Sequence, residues 1–201
     1  MSYIKTIPYN EAEGKLKKLY DRVKGPDNNV DNVLMIHSLR PHTLNGHMVL
    51  YKSVLHHNDN TFDKWYLEAL GTYVSLLNEC HYCFDHHAEG LRKNLGDQPR
   101  FEAIYQAIKE MRIELVFDEK QMAGAEYAKK LTLDHTSINR EYIQTLRDRG
   151  FDDGEILEVN QVVSYFNYVN RMVVGLGVDT VDDIIGLSPN NNEESDNWNH
   201  K

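Results

Sequence analysis

The chain has 201 residues, 41% hydrophobic and 26% charged, and its 22 Lys and Arg stand against 31 Asp and Glu for a formal charge of −9. This is one domain's length of a globular protein, with apolar residues enough for a sizeable core, and the composition excludes a disordered polymer. An acidic balance without a cluster of Lys and Arg argues against nucleic acid or an anionic membrane as partner. No apolar run reaches the roughly 18–20 residues of a membrane span, and MSYIKTIPYNEAEG lacks the apolar centre of a secretory signal, so the expected location is cytoplasmic.

In chain order, residues 10–24 (NEAEGKLKKLYDRVK) predict a charged, weakly amphipathic surface helix ended by Gly25-Pro26. The polar loop DNNVDN leads to a short apolar piece, Val33 to Leu39. Pro41 then opens a helix to about His57, in whose first turn its missing N–H has no partner to lose. His56 and His57 fall at that helix's negative end, where an imidazole is welcome. Thr61 suits the N-cap of the next helix, in which Phe62, Tyr66, Ala69, Tyr73 and Leu76 or Leu77 recur at spacings of three and four.

A helix from about Glu79 to Leu95 follows, closed by Gly96. Residues 98–112, 119–133 and 138–149 predict three more. The longest begins at Asp152, where Glu155 completes the form of a capping box, and runs to about Val174 before Gly175 and Gly177. The tail from Ser188 is polar, acidic and Asn-rich, and is expected to be disordered. The expectation is an all-α, single-domain protein: an N-terminal helix and loop over 1–29, a helical domain over 30–187, and the acidic tail over 188–201.

The chemistry concentrates in LNECHYCFDHHAEGL, residues 77 to 91. The two cysteines, Cys80 and Cys83, would close too small a ring for a disulfide between them to add much stability, which leaves redox chemistry or metal binding. At about 100° per residue, Cys83 lies about 60° and His87 about 20° from Cys80, on the stripe that carries Phe84, Ala88, Leu91 and Leu95. A helix N-terminus offers unpaired N–H groups and a positive dipole end, and both favour thiolate over thiol in one cysteine of the pair. The thiolate attacks a peroxide or a disulfide, and the neighbouring cysteine then condenses with the sulfenic acid. Upstream, WYLEALGTYVSLL carries one charge, Glu68. A lone carboxylate in an apolar helix is either a buried, partnered acid–base group or points to solvent.

With these residues in place the sequence resembles the AhpD-like alkylhydroperoxidases of the carboxymuconolactone decarboxylase-like superfamily. Glu68, Cys80-x-x-Cys83 and His87 carry the likeness. Asn78-Glu79-Cys80-His81-Tyr82-Cys83 with His86-His87 is similar to the peroxidase-related branch, as are Phe166 to Arg171 and Gly175-Leu176-Gly177. The resemblance spans roughly residues 30 to 178 and implies an AhpD-like helical bundle that reduces organic hydroperoxides. It implies that peroxide attacks at Cys83, that Cys80 resolves it to a disulfide, that an external dithiol reductant restores the pair, and that Glu68 and His87 relay the proton. It also implies a homo-oligomer. No bound organic cofactor is needed, since the sulfurs carry both electrons. The better-studied motif has a histidine where this chain has Tyr82, and a phenol is no base near neutral pH. His86, about 120° round the helix from Cys80, is the residue considered in its place.

Three other readings stay open on the sequence. Cys80, Cys83 and His87, with Glu68 or His86, could hold a structural zinc ion; the chain could be a lactone decarboxylase of the same superfamily; or the cysteines could serve a redox sensor. His37, His42 and His47 form no metal spacing. Asn167, Asn170 and Arg171 interrupt an apolar helix, and are expected to make buried hydrogen bonds between helices or subunits, with an anion contact at Arg171 as the alternative.

Overall fold

The computed structural model describes residues 2–189 and 198. Among them are nine α-helices and no β-strand: α1 (Gly14–Val23), α2 (Asn32–Met35), α3 (Pro41–Tyr51), α4 (Lys64–Leu77), α5 (His81–Leu95), α6 (Gln98–Lys109), α7 (Glu119–Leu133), α8 (Arg140–Asp148) and α9 (Asp153–Leu176). The expected all-α architecture is therefore present.

α4 is the axis of the bundle. Every residue from Trp65 to Ser75 is buried, because α5, α7 and α9 pack around it. A helix apolar on all sides has to be enclosed in this way. Leu16, Leu19, Tyr20 and Val23 bury one stripe of α1 in the same core, so the N-terminal helix is part of the domain rather than an appendage.

The ends of the helices follow their local chemistry. Asp118 with Gln121 and Asp152 with Glu155 form reciprocal capping boxes at α7 and α9. Gly96 and Gly177 take the left-handed conformation that ends α5 and α9. α4 begins at Lys64 instead of at Thr61, since the backbone N–H groups of Thr61 and Phe62 donate to the Glu158 carboxylate at 2.8 and 3.0 Å. The helix expected to reach residue 112 stops at Lys109, and Met111 is left-handed. α9 passes through Gly175 and ends one turn-residue later at Leu176. After Tyr51, α3 widens into a π-helical turn, Lys52–His56.

Of the tail expected to be disordered, Ser188, Pro189 and Trp198 are described: Ser188 is half-buried and the other two are buried. The Arg22 guanidinium lies 3.7 Å over the Trp198 ring. The rest of that expectation lies outside the described residues. No described helix is long and apolar enough to cross a membrane.

Candidate active site

Glu68 sits in the second turn of α4 and is 2% exposed, which removes the solvent-facing alternative. Its neighbour on α5 is Gly90, where an added Cβ would lie 2.9 Å from both the Glu68 Cδ and Oε1. The carboxylate thus occupies space that any other residue at 90 would claim. One turn before Gly90, His87 Nδ1 is 2.7 Å from Glu68 Oε2. An ionised carboxylate only accepts, so Nδ1–H donates and Nε2 keeps the lone pair. The His87 ring is seated edge-on against Phe166 of α9, with centroids 4.5 Å apart.

The other Glu68 oxygen faces His56, whose Nε2 is 4.0 Å from Oε1. The sequence reading put His56 at a helix C-terminus, and it is the last residue of the π turn that extends α3, where it is buried. Tyr51 and Tyr165 are enclosed nearby. Burial, reinforced by the negative charge of Glu68, holds both phenols well above their ordinary range.

The cysteines lie where α4 turns into α5. Glu79, expected in the helix, is left-handed at φ 55°; the Cys80 N–H donates to Ser75 O at 2.9 Å, and Cys80 takes the N-cap position of α5. Both thiols are free and buried, at 1% and 3% exposure, with their sulfurs 2.7 Å apart. Its side-chain hydrogen bond with Cys83 is the main influence that lowers the Cys80 thiol; burial opposes it, and the Cys83 backbone N–H and Asn170 act in the lowering direction. Burial pushes the Cys83 thiol well up, and its bond with Cys80 pushes it further. The two thiols at this helix N-terminus are thus shifted apart, Cys80 downward and Cys83 upward.

Asn170 is fully buried and ties three elements together. Its Nδ2 donates to Ser75 Oγ at 3.2 Å, and its Oδ1 accepts from Asn78 Nδ2 at 3.0 Å. Asn78 also donates to Asn167, which donates to Thr132 Oγ1. The expected helix-joining role of the asparagines is met within one chain, and Asn170 has a second effect, stabilising charge on the sulfurs. Arg171 is exposed and donates to the Asn167 carbonyl and side chain.

Cys83, Glu68, His87, Tyr51 and Tyr165 line one cavity of about 60 Å³, room for no more than a few waters. Cys80 is not among its lining residues. His86 lines it as well, but from another side: its ring stacks on Tyr82 with centroids 4.5 Å apart, and its Nε2 is 3.6 Å from Asp183 Oδ2. Tyr82 itself donates to Asp183 at 2.6 Å and takes no part in the Glu68–His87 pair. Nothing local in the sequence announces His56 or Asp183 as part of this region, because both arrive by tertiary folding. Among the described residues no three His, Cys, Asp or Glu side chains converge as a metal ion requires.

The helical bundle that carries this site superposes on several solved structures. An uncharacterized peroxidase-related protein from Silicibacter sp. TM1040 superposes with a TM-score of 0.68 at 22% identity, covering 88% of this chain and 87% of that one. An AhpD-core, uncharacterized peroxidase-related protein from Ralstonia eutropha JMP134 gives 0.72 at 18% identity, covering 89% and 91%. A debrominase, Bmp8, crystallised as a cysteine-to-alanine variant with 2,3,4-tribromopyrrole, gives 0.62 at 12% identity, covering 82% and 81%. No protein-family model matches the sequence, and no curated protein matches it. The chain has the AhpD-like fold, and its structural neighbours are AhpD-like peroxidase-related proteins.

Proposed function

We propose that this protein is a thiol-dependent peroxidase that reduces organic hydroperoxides through Cys83 and Cys80. The observation that carries the reading is that Cys83 opens onto the same small cavity as the Glu68–His87 pair, with the Cys80 sulfur 2.7 Å behind it.

Of the pair, Cys80 gives up its proton more readily and Cys83 holds its own more tightly. Cys83 faces the cavity, so it is the sulfur a peroxide meets, and its proton has to leave first. Cys80 or the lone-pair nitrogen of His87 accepts it. The Cys83 thiolate then attacks the outer oxygen of the peroxide: an S–O bond forms, the O–O bond breaks, and the alcohol leaves with a proton returned by the relay. Cys80, as thiolate, attacks the Cys83 sulfenic sulfur; the S–O bond breaks, the hydroxide takes a proton from solvent and departs as water, and the disulfide forms. Exchange with an external dithiol restores both thiols. Hydroperoxide and dithiol become alcohol, water and disulfide, and the electrons balance.

A homo-oligomer belongs to this reading. Val49 and Leu50 on α3 and Leu157, Tyr168 and Val174 on α9 are exposed large apolar side chains in the single chain, and such a surface suits a second copy. The cytoplasm, whose reductants keep dithiols reduced, suits the chemistry.

The test is single-turnover oxidation by an alkyl hydroperoxide followed by mass spectrometry. Cys83→Ser is expected to abolish peroxide consumption, whereas Cys80→Ser reacts once and stops at the sulfenic acid. Full turnover by Cys83→Ser overturns the mechanism. Debromination of a bromopyrrole by the reduced chain, with no peroxide consumed, would assign the dithiol to carbon–bromine chemistry instead.

A further inference from the structure

The cavity has one wall that does not come from the helices. After α9 the chain returns across the bundle, and Gly186 and Leu187 line the cavity opposite Cys83 and His87. This segment, residues 178–188, is fastened along its length. The Asn32 side-chain amide donates to the carbonyls of Asp179 and Val181 at 2.9 and 2.8 Å. Asp183, with its side chain 1% exposed, accepts from the Asn32 backbone N–H at 3.0 Å and from the Tyr82 hydroxyl at 2.6 Å.

Three residues on, Lys93 Nζ donates to the Gly186 carbonyl at 2.9 Å. Gly186 is left-handed at φ 76°, and an added Cβ would collide with the Glu89 side chain, so the backbone lies directly on α5. A carboxylate taken out of water on a connecting segment is costly unless its bonds are made. Here they are made, and their donors belong to α2 and α5, both of which contribute residues to the cavity lining.

We propose that residues 178–188 form a clamped wall that sets the size limit of the Cys83 cavity, with Asp183 as the clamp and Tyr82 as its anchor on α5. The wall admits hydrogen peroxide and small primary alkyl hydroperoxides and turns away tertiary and aryl hydroperoxides. The substrate class rests on the peroxidase reading above; the wall itself does not. It gives Tyr82 a role that suits a phenol: the residue that stands between the two cysteines ties down a specificity-determining segment instead of relaying a proton.

The experiment separates the two claims by using alkylation as well as turnover. In the reduced full-length chain, the rate of Cys83 modification is measured by mass spectrometry with a small reagent, methyl methanethiosulfonate, and with a bulky one, N-phenylmaleimide. Tyr82→Phe keeps the ring on His86 but removes the hydrogen bond to Asp183; Leu187→Ala widens the wall without touching the clamp. Each is expected to raise the bulky-to-small rate ratio, Tyr82→Phe roughly tenfold, the shift that follows from losing one hydrogen bond to a charged group, and Leu187→Ala in the same direction by removing bulk from the wall. Cumene hydroperoxide should gain on hydrogen peroxide to a similar extent in turnover. A ratio at the wild-type value in both variants, or an equal rise in both reagents, overturns the wall. If the ratio moves but the wild-type chain reduces no peroxide, the wall stands and the peroxidase reading falls; if peroxide is reduced and the ratio is static, the reverse holds.

Discussion

The sharpest handle on the candidate site is a residue with no side chain. Gly90→Ala places a Cβ 2.9 Å from the Glu68 carboxylate carbon and Oε1. Ordinary contact needs about half an ångström more, and the carboxylate is the part that yields, since both helix backbones are packed in the core. Moving it by that amount stretches the 2.7 Å bond to His87 past 3.2 Å or misaligns it, where a charge-assisted bond has lost much of its strength. For the fold the change is nearly neutral. Alanine gains about 1 kcal/mol over glycine in a helix interior, against roughly 1–3 kcal/mol for overpacking. For the chemistry it is not neutral, because a positioned acid–base group contributes about 10²–10⁴ in rate. The expected outcome is a fall of at least about tenfold in the rate of Cys83 oxidation, with melting temperature shifted by only a few degrees. Glu68→Gln should slow the reaction by a comparable factor, and the double variant should be little worse than either single one. Stopped-flow peroxide consumption and thermal unfolding of the three variants provide the measurement. A wild-type rate in Gly90→Ala, or full additivity with Glu68→Gln, would refute the account of Glu68 as the group that orients His87.

Two further predictions concern protons. Asn170→Ala removes a side chain that favours charge on both sulfurs, so the midpoint of iodoacetamide reactivity against pH should move upward; an unmoved midpoint leaves Asn170 only its bonds to Ser75 and Asn78. Asp31 is buried near Asp183, and burial raises its carboxyl from 3.8 to about 6. Between those values the folded chain holds a proton that the unfolded chain has released, so this group's contribution to stability falls as pH rises through the window. A shift of about two units corresponds to on the order of 3 kcal/mol. Asp31→Asn does not titrate, so its stability relative to wild type should increase by up to about that amount between pH 4 and pH 7. His37, lowered to about 4 by burial, has the opposite slope but is common to both chains and drops out of the difference. Urea titrations at several pH values would show it, and a difference independent of pH would contradict the buried state of Asp31.

What could be read in the sequence was what depends on neighbours along the chain. Cys80, Cys83 and His87 are linked by helical angle alone, and α5 exists where the pattern placed it. The capping boxes at Asp118 and Asp152 are likewise local, although only the second was anticipated. Glu68 was recognisable as the one charge in an apolar helix, but its direction depends on Gly90, twenty-two positions away, and on the packing of α4 against α5. The helix-end position of His56 was legible, but its burial beside Glu68 was not, because the π turn that carries it has no signature in KSVLH. Asp183 lies 101 positions from Tyr82, on a segment whose composition suggests only a loop. Which thiol is the more acidic was also beyond spacing, since it depends on the hydrogen bonds each sulfur makes once the helices are packed.

The lowered Cys80 thiol has an energetic corollary for the proposed recycling. Cys80 caps the first turn of α5, where the helix dipole and the Cys83 N–H favour its thiolate. Whatever steadies the reduced pair makes the oxidised one a stronger electron acceptor. In a cycle of the proposed kind, the cap that acidifies a thiol would therefore also favour opening of the bridge.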